Sequence, residues 1–281
     1  MGTPLPLSLR WLLTAAMLMG VATLCGATPD EGRRRASAKA PDALQSESWA
    51  TGRDGELERF LLEAEVESSE WLAEGITRPR KLLLVGGDTE QLAIFKTIDL
   101  KVPAAPDAGQ DPYVADKWQY EVAAYRIDRM IGLRMVPVTV MRAIDDIPGS
   151  IQQWIDAAAG AAELTKEDSP LVSSPEYAQA MNLKRIFDAL IFNADRNPTN
   201  ILVARADGRV WLIDHSRSFR VFESFPSTVW GRELTLPEPL RERLAGLTQE
   251  SLDRAVGELL TAEQIAAILA RRDRLLRGEN D

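Results

Sequence analysis

Between Phe192 and Phe219 the chain reads "FNADRNPTNILVARADGRVWLIDHSRSF". Two short apolar runs, "ILVA" and "VWLI", flank a turn sequence that carries Gly208 where a hairpin needs a left-handed residue. Taking Ala206-Asp207-Gly208 as a three-residue loop pairs Arg205 with Arg209. Asn200 then stands opposite Asp214 on one face, roughly 5 Å away. A two-residue loop would send them to opposite faces, because side chains alternate along a strand. Asp195 lies just upstream, in the loop that ends a preceding helix. The hairpin thus predicts a carboxylate and a carboxamide at its open end, with a second carboxylate nearby.

A carboxylate beside a carboxamide offers hard oxygen donors suited to Mg²⁺ or Mn²⁺, with waters and phosphate oxygens completing the shell. Asp195 is near enough to accept a proton from an attacking hydroxyl. That is the minimal equipment for phosphoryl transfer, where positioning and charge neutralisation do most of the work. Asp195 and Asn200 can equally cap a loop, and Asp214 can be a turn acid after a buried strand; the hairpin alone does not decide. His215, the sole histidine, cannot build a multi-histidine metal site and reads as a surface residue or one standing behind the ligands.

The upstream half tips the balance. Transfer from a nucleotide needs a cation on the phosphates, and Lys96 ends the apolar run "LAIF" inside a strand. A lysine there either snorkels to the surface or pairs with an acid. The segment Lys117–Gly132, "KWQYEVAAYRIDRMIG", has helical spacing at Trp118, Val122, Tyr125 and Ile127. Asp116 is a candidate N-cap and Gly132 a stop. Glu121 points toward the sheet if Val122 and Tyr125 are buried, and a Lys96–Glu121 pair would hold the ammonium in place.

Around these residues the pattern is α+β. The runs "WLAEGIT", "KLLLV" and "LAIFKTI" read as strands, with "GGD" turning between the last two. "MVPVTVMRAIDDIPGSIQQWI" reads as a strand pair turning at Pro148-Gly149. Helices follow: "SPEYAQAMNLKRIFDALIFNAD", then, after the hairpin, "TAEQIAAILARRDRLLRG" with a Thr261–Gln264 capping box and a Gly278 stop. The expected layout is two lobes: a small, mostly-β lobe with one helix over about residues 56–155 and a larger helical lobe over about 156–281.

The N-terminus suggests export. Arg10 precedes an uncharged run from Trp11 to Ala27, the pattern of a signal peptide over residues 1–27 cleaved near Cys25-Gly26-Ala27. An uncut anchor, with membrane association through residues 11–27, or a lipidated Cys25 are the alternatives. Arg33–Arg35 after the run, against one arginine before it, would favour a cytoplasmic domain for an uncut anchor. Residues 28–55 are small, polar and aperiodic, as in a flexible linker. Cys25 is the only cysteine, so a mature periplasmic or extracellular chain would have no disulfide, thiol nucleophile or cysteine metal site. The net charge of −9 and pI near 4.9 argue against a general nucleic-acid binder.

Lysine on a strand, glutamate on the next helix, Asp-x4-Asn, then a hairpin to Asp: this order resembles the protein-kinase-like fold. "DRNPTNI" with "LIDHSRSF" is similar to the catalytic and metal loops of phosphatidylinositol 3- and 4-kinases. "YEVAAYRIDRMIGLRMVPVTVMR" and "RIFDALIFNADRN" look still more like the secretory-pathway kinases of the Golgi casein kinase and Four-jointed type. The resemblance spans roughly residues 70–220. It implies ATP as donor, Lys96 on its phosphates, Glu121 orienting Lys96, Asp195 as base, Arg196 bracing the catalytic loop, and Asn200 and Asp214 as metal ligands. It also implies that "EGITRPRK" lies over the phosphates, with Gly75 allowing close approach and Arg78, Arg80 or Lys81 adding charge, and that "SIQQWI" leads to an adenine-holding hinge. The implied acceptor is a hydroxyl of a protein or glycan. A phosphoinositide or small-molecule kinase and a nucleotide-binding pseudokinase are the alternatives. Asn197 and His215-Ser216 depart from the family pattern without removing a ligand or the base, which favours an active enzyme. A periplasmic kinase would face scarce ATP, a difficulty that a cytoplasmic domain removes.

Overall fold

The computed structural model describes residues 52–72, 78–103 and 113–279. The expected signal segment, the linker up to residue 51 and Gly75 lie outside these residues.

Helix α1 (Arg53–Glu63) opens the described chain, followed by β1 (Glu65–Trp71), β2 (Arg80–Gly86), β3 (Thr89–Lys96), β4 (Asp99–Pro103), β5 (Tyr113–Lys117) and α2 (Trp118–Ile131). Strands β6 (Thr139–Ile144) and β7 (Ile147–Gln153) complete an antiparallel five-stranded sheet ordered β1-β2-β3-β7-β6. The larger lobe holds β8 (Ala158–Gly160), α3 (Ala161–Lys166), α4 (Pro175–Ile191), β9 (Ile201–Ala204), β10 (Val210–Leu212), α5 (Glu238–Ala245), α6 (Gln249–Val256) and α7 (Ala262–Arg277), with β8, β9 and β10 in one small sheet. This is the expected α+β, two-lobe arrangement. Among the described residues no helix is long and apolar enough to cross a membrane.

Alternation along β2 and β3 fixes which residues reach the space between the lobes. Leu82, Leu84, Ala93 and Phe95 are fully buried with Ile151 of β7. The opposite face carries Lys81, Leu83, Leu92, Ile94 and Lys96, none fully buried, beside Gln152 and Ser150. Three half-buried aliphatic residues therefore lead along one face to Lys96.

Helix α1 went unassigned in the sequence, where its first residues fell within the linker. Its apolar residues Leu57, Phe60, Leu61 and Ala64 recur at helical spacing and join the core. It packs on β2, β6 and β7 and is fastened to α2 by polar contacts. Tyr125 donates its hydroxyl hydrogen to Glu58 at 2.7 Å, and Arg129 pairs with Asp54 at 3.0 Å. Arg142 of β6 adds a bond to the Leu61 carbonyl at 3.0 Å.

Strand β1 carries "EVESSEW", a segment the sequence reading left unassigned, whereas residues 73–77 of the expected strand "WLAEGIT" lie outside the described residues. β1 is an exposed edge strand, and just beyond it the Leu72 amide bonds the Pro79 carbonyl at 2.9 Å. Two local expectations are corrected. The β6–β7 turn falls at Asp145-Asp146, not Pro148-Gly149. Both aspartates have positive φ, 54° and 62°, as a tight primed turn demands, and aspartate tolerates that conformation better than most residues. Gly149 instead lies inside β7, where a Cβ would come within 2.5 Å of the Lys96 carbonyl oxygen. Finally, Asp116 does not cap α2. Lys117 is the N-cap and makes no side-chain cap bond, while Asp116 sits in β5 opposite Leu100.

Candidate active site

Lys96 is the last residue of β3, and its ammonium meets two acids from different lobes. Nζ lies 2.5 Å from Glu121 Oε1 on α2 and 2.9 Å from Asp214 Oδ1 just beyond β10. Glu121 Oε2 accepts the backbone N–H of His215 at 3.1 Å and faces its ring Nδ1 at 3.4 Å. Burial works to lower the Lys96 pKa, but Glu121 and Asp214 outweigh it and hold the pKa above the ordinary lysine value. Burial likewise works to raise Glu121, yet Lys96 and His215 pull it well below the usual carboxylate range. His215 is fully buried against Phe187. Its pKa is lowered, by burial first and then by Arg196, so it backs Glu121 as a neutral ring and is no surface residue.

The hairpin register differs from the expectation by one residue. The Ala204 amide bonds the Arg209 carbonyl at 2.9 Å, and Val203, Leu202 and Ile201 pair with Val210, Trp211 and Leu212. The loop thus has four residues, and the Ile213 amide bonds the Asn200 carbonyl at 3.1 Å. Continued extension would turn Asp214 away from Asn200. The strand instead stops at Leu212, and Asp214 takes a left-handed φ of 61°, a conformation costing roughly 1–2 kcal/mol in most residues and less in aspartate. That bend brings Asp214 Oδ2 to 3.3 Å from Asn200 Nδ2. The two residues meet as expected, by a different backbone route.

Asp195 follows the end of α4, where Phe192 adopts a left-handed cap. Its amide bonds Asn193 Oδ1 at 3.0 Å, and its half-exposed carboxylate pairs with Arg217 Nη1 at 3.2 Å. Arg196 is buried. It reaches Asp188 of α4 at 3.1 Å and also bonds the carbonyl oxygens of Ile213 and Asn200. One guanidinium therefore ties the Asp195 loop to the helix before it and the hairpin after it. Asn197 accepts from the Thr199 amide at 2.9 Å and shapes the same loop.

Lys81 lies on β2 rather than in the preceding loop. It is directed over the Trp154 ring, 4.7 Å from its centroid, and stands 3.9 Å from Glu70. Trp154 follows β7 and donates its amide to the Leu92 carbonyl at 3.1 Å, so Lys81 belongs to the rim where the lobes join.

Glu121 is saturated and only 1% exposed, whereas Asp214 keeps 44% of its side chain open. Of the two acids on Lys96, Asp214 is the one with room for an incoming cation. Among the described residues no cluster of three or more histidine, cysteine or acidic groups could hold a metal. Asp214 and Asn200 could offer two oxygen donors, the second after a half-turn of its amide that exchanges Nδ2 for Oδ1. Such a pair suits Mg²⁺ or Mn²⁺ arriving with phosphate oxygens and water, not a resident ion.

Sequence reasoning missed Arg217 and Asp188, and read Asp116 as a helix cap rather than as a partner of Arg217. Arg217 stood three positions after Asp214 with nothing in the pattern to name its partners, and Asp188 was hidden within the apolar stretch of α4.

No family model matches the chain. The protein Rv2133c of Mycobacterium tuberculosis is 26% identical over 188 residues, covering 56% of this chain and 67% of that protein. Among solved structures, a hydra Fam20 determined with sugar matches at a TM-score of 0.53 and 16% identity, over 79% of this chain and 86% of its own. The Golgi casein kinase matches at 0.53 and 14%, over 83% of this chain and 79% of its own. The chain has a Fam20-like, two-lobe protein-kinase fold.

Proposed function

We propose that this chain is a phosphotransferase that moves the γ-phosphoryl group of ATP to a hydroxyl of a protein or glycan. The observation that carries the reading is the bridge from Lys96 to both Glu121 and Asp214, with Asn200 on the far oxygen of Asp214. A fixed ammonium beside a half-open carboxylate is a receptacle for a phosphate carrying a divalent cation. The likeness to a kinase and to a sugar-bound Fam20 supports the same class.

In this reading Lys96 contacts the nucleotide phosphates and Glu121 holds its Nζ in place. Asn200 and Asp214 would hold Mg²⁺ or Mn²⁺, and the ion would supply charge neutralisation at the phosphates. Asp195 takes the acceptor hydroxyl's proton as its oxygen bonds phosphorus and the β–γ bond breaks, releasing ADP. Arg196 keeps the Asp195 loop in register with the hairpin. Leu83, Leu92 and Ile94 offer an apolar bed for adenine beside the segment after β7. Gly75 and Lys81 remain proposed nucleotide contacts, Lys81 from the rim near Trp154. The sequence pattern of residues 1–27 supports export, with a membrane-anchored form as the alternative.

The test is ADP release by the full-length chain given ATP and Mn²⁺ or Mg²⁺. Asp195→Asn and Asp214→Ala are each expected to lower turnover by at least about 100-fold. Turnover unchanged in both variants sinks the proposal. Nucleotide binding without turnover by the unmodified chain would instead favour a regulatory pseudokinase.

A further inference from the structure

Arg217 makes two ion pairs that join distant parts of the chain. Its Nε donates to Asp116 Oδ2 at 2.9 Å and its Nη1 to Asp195 Oδ2 at 3.2 Å. Asp116 is 3% exposed and its Oδ1 has no hydrogen-bond partner. A carboxylate so far from water needs a cation, and removing that cation would be costly. Next to this contact the Lys117 amide bonds the Ser216 carbonyl at 2.8 Å, so the residues preceding Arg217 are pinned to the start of α2. Asp195, by contrast, is 58% exposed. Its loop is held by Arg196 and by the bond from its own amide to Asn193, and neither contact engages the carboxylate that Arg217 meets.

We propose that Arg217 is a positioning residue that orients the Asp195 carboxylate for proton abstraction, using Asp116 at the β5–α2 junction as its anchor. The inference rests on Asp195 being the base. It adds that the direction of that base depends on the junction leading into the helix that carries Glu121. A planar guanidinium with donors on two edges suits this task, because it fixes the angle between two carboxylates as well as their distance. A paired guanidinium could instead block Asp195, and the two roles predict opposite changes in rate.

The experiment is steady-state ATP turnover by the full-length chain. Arg217→Gln is expected to lower kcat by about 10- to 100-fold while KM for ATP stays within about threefold. Arg217→Lys should recover part of the loss. Asp116→Asn should reproduce the defect, and the double variant should be no worse than either single one, as for residues acting as a unit. An unchanged or increased kcat in Arg217→Gln, a change confined to KM, or losses that multiply would overturn the proposal. If Arg217→Gln does not fold, Asp116→Asn, which keeps the guanidinium, decides the question by the same criterion. Asp195→Asn, run in parallel, separates the two claims. Undiminished turnover there overturns the base assignment and the Arg217 role together, while its loss beside an unaffected Arg217→Gln overturns the Arg217 role alone.

Discussion

Lys96 and Asp214, 118 positions apart in the chain, meet at 2.9 Å between the lobes, and Glu121 holds the same ammonium at 2.5 Å. Removing Lys96 would leave Glu121 nearly buried with only His215 beside it. Lys96→Met is therefore expected to destabilise the fold by about 3 kcal/mol and abolish ATP turnover. Lys96→Met combined with Glu121→Leu should regain most of that stability but no activity, because two apolar groups can replace a buried pair. Denaturant unfolding with a parallel turnover assay checks both; a double variant no more stable than Lys96→Met contradicts this expectation.

Two ligands without phosphate are a weak metal site. Mn²⁺ binding to the full-length chain, followed by electron paramagnetic resonance of the free ion, should be at least about tenfold tighter with a non-hydrolysable ATP analogue than without. Equal affinity in both conditions would show that the cation does not arrive with nucleotide.

Gly149 is a more stringent test of the strand geometry than any charged residue. Its Cβ position is 2.5 Å from the Lys96 carbonyl oxygen and 2.5 Å from the Phe95 ring. Because one obstacle is backbone, Gly149→Ala should cost roughly 2 kcal/mol and shift Lys96, raising KM for ATP. A thermal midpoint equal to that of the parent protein would refute the packing.

Asp128 supplies a pH dependence. It is fully buried on α2 and accepts the Met135 amide at 2.9 Å. Burial, opposed by Arg129 and the backbone amides, pushes its pKa up from 3.8 to about 6. Since the folded-state value is the higher one, the folded protein binds the proton more tightly, and this contribution grows as pH falls and fades as pH rises through about 6. Relative to Asp128→Asn, the parent should gain on the order of 1 kcal/mol between pH 7 and pH 5. Denaturant midpoints at the two pH values measure it; a difference that is flat or shrinks toward pH 5 contradicts the assignment.

The site was legible where the chain advertises chemistry by residue type. A lysine ending an apolar strand, a glutamate on the inner face of the next helix, and Asp-x4-Asn before a hairpin pointed to groups the fold brings together. Local backbone detail was less legible. The hairpin slipped by one residue because "RADGR" is compatible with loops of three or four, and a left-handed Asp214 undid the consequence. Strand β1 escaped because an exposed edge strand needs no apolar alternation. Arg217 escaped because its partners lie 101 and 22 positions away, a separation that no periodicity reports.

Helix α1 carries a practical consequence. Its Glu58 and Asp54 grip Tyr125 and Arg129, on the same helix that presents Glu121 to Lys96. Shortened forms beginning beyond residue 64 would discard that grip while retaining every group assigned to chemistry. An inactive fragment of that kind would therefore say nothing against the enzyme; its failure would be mechanical, a helix left without its splint.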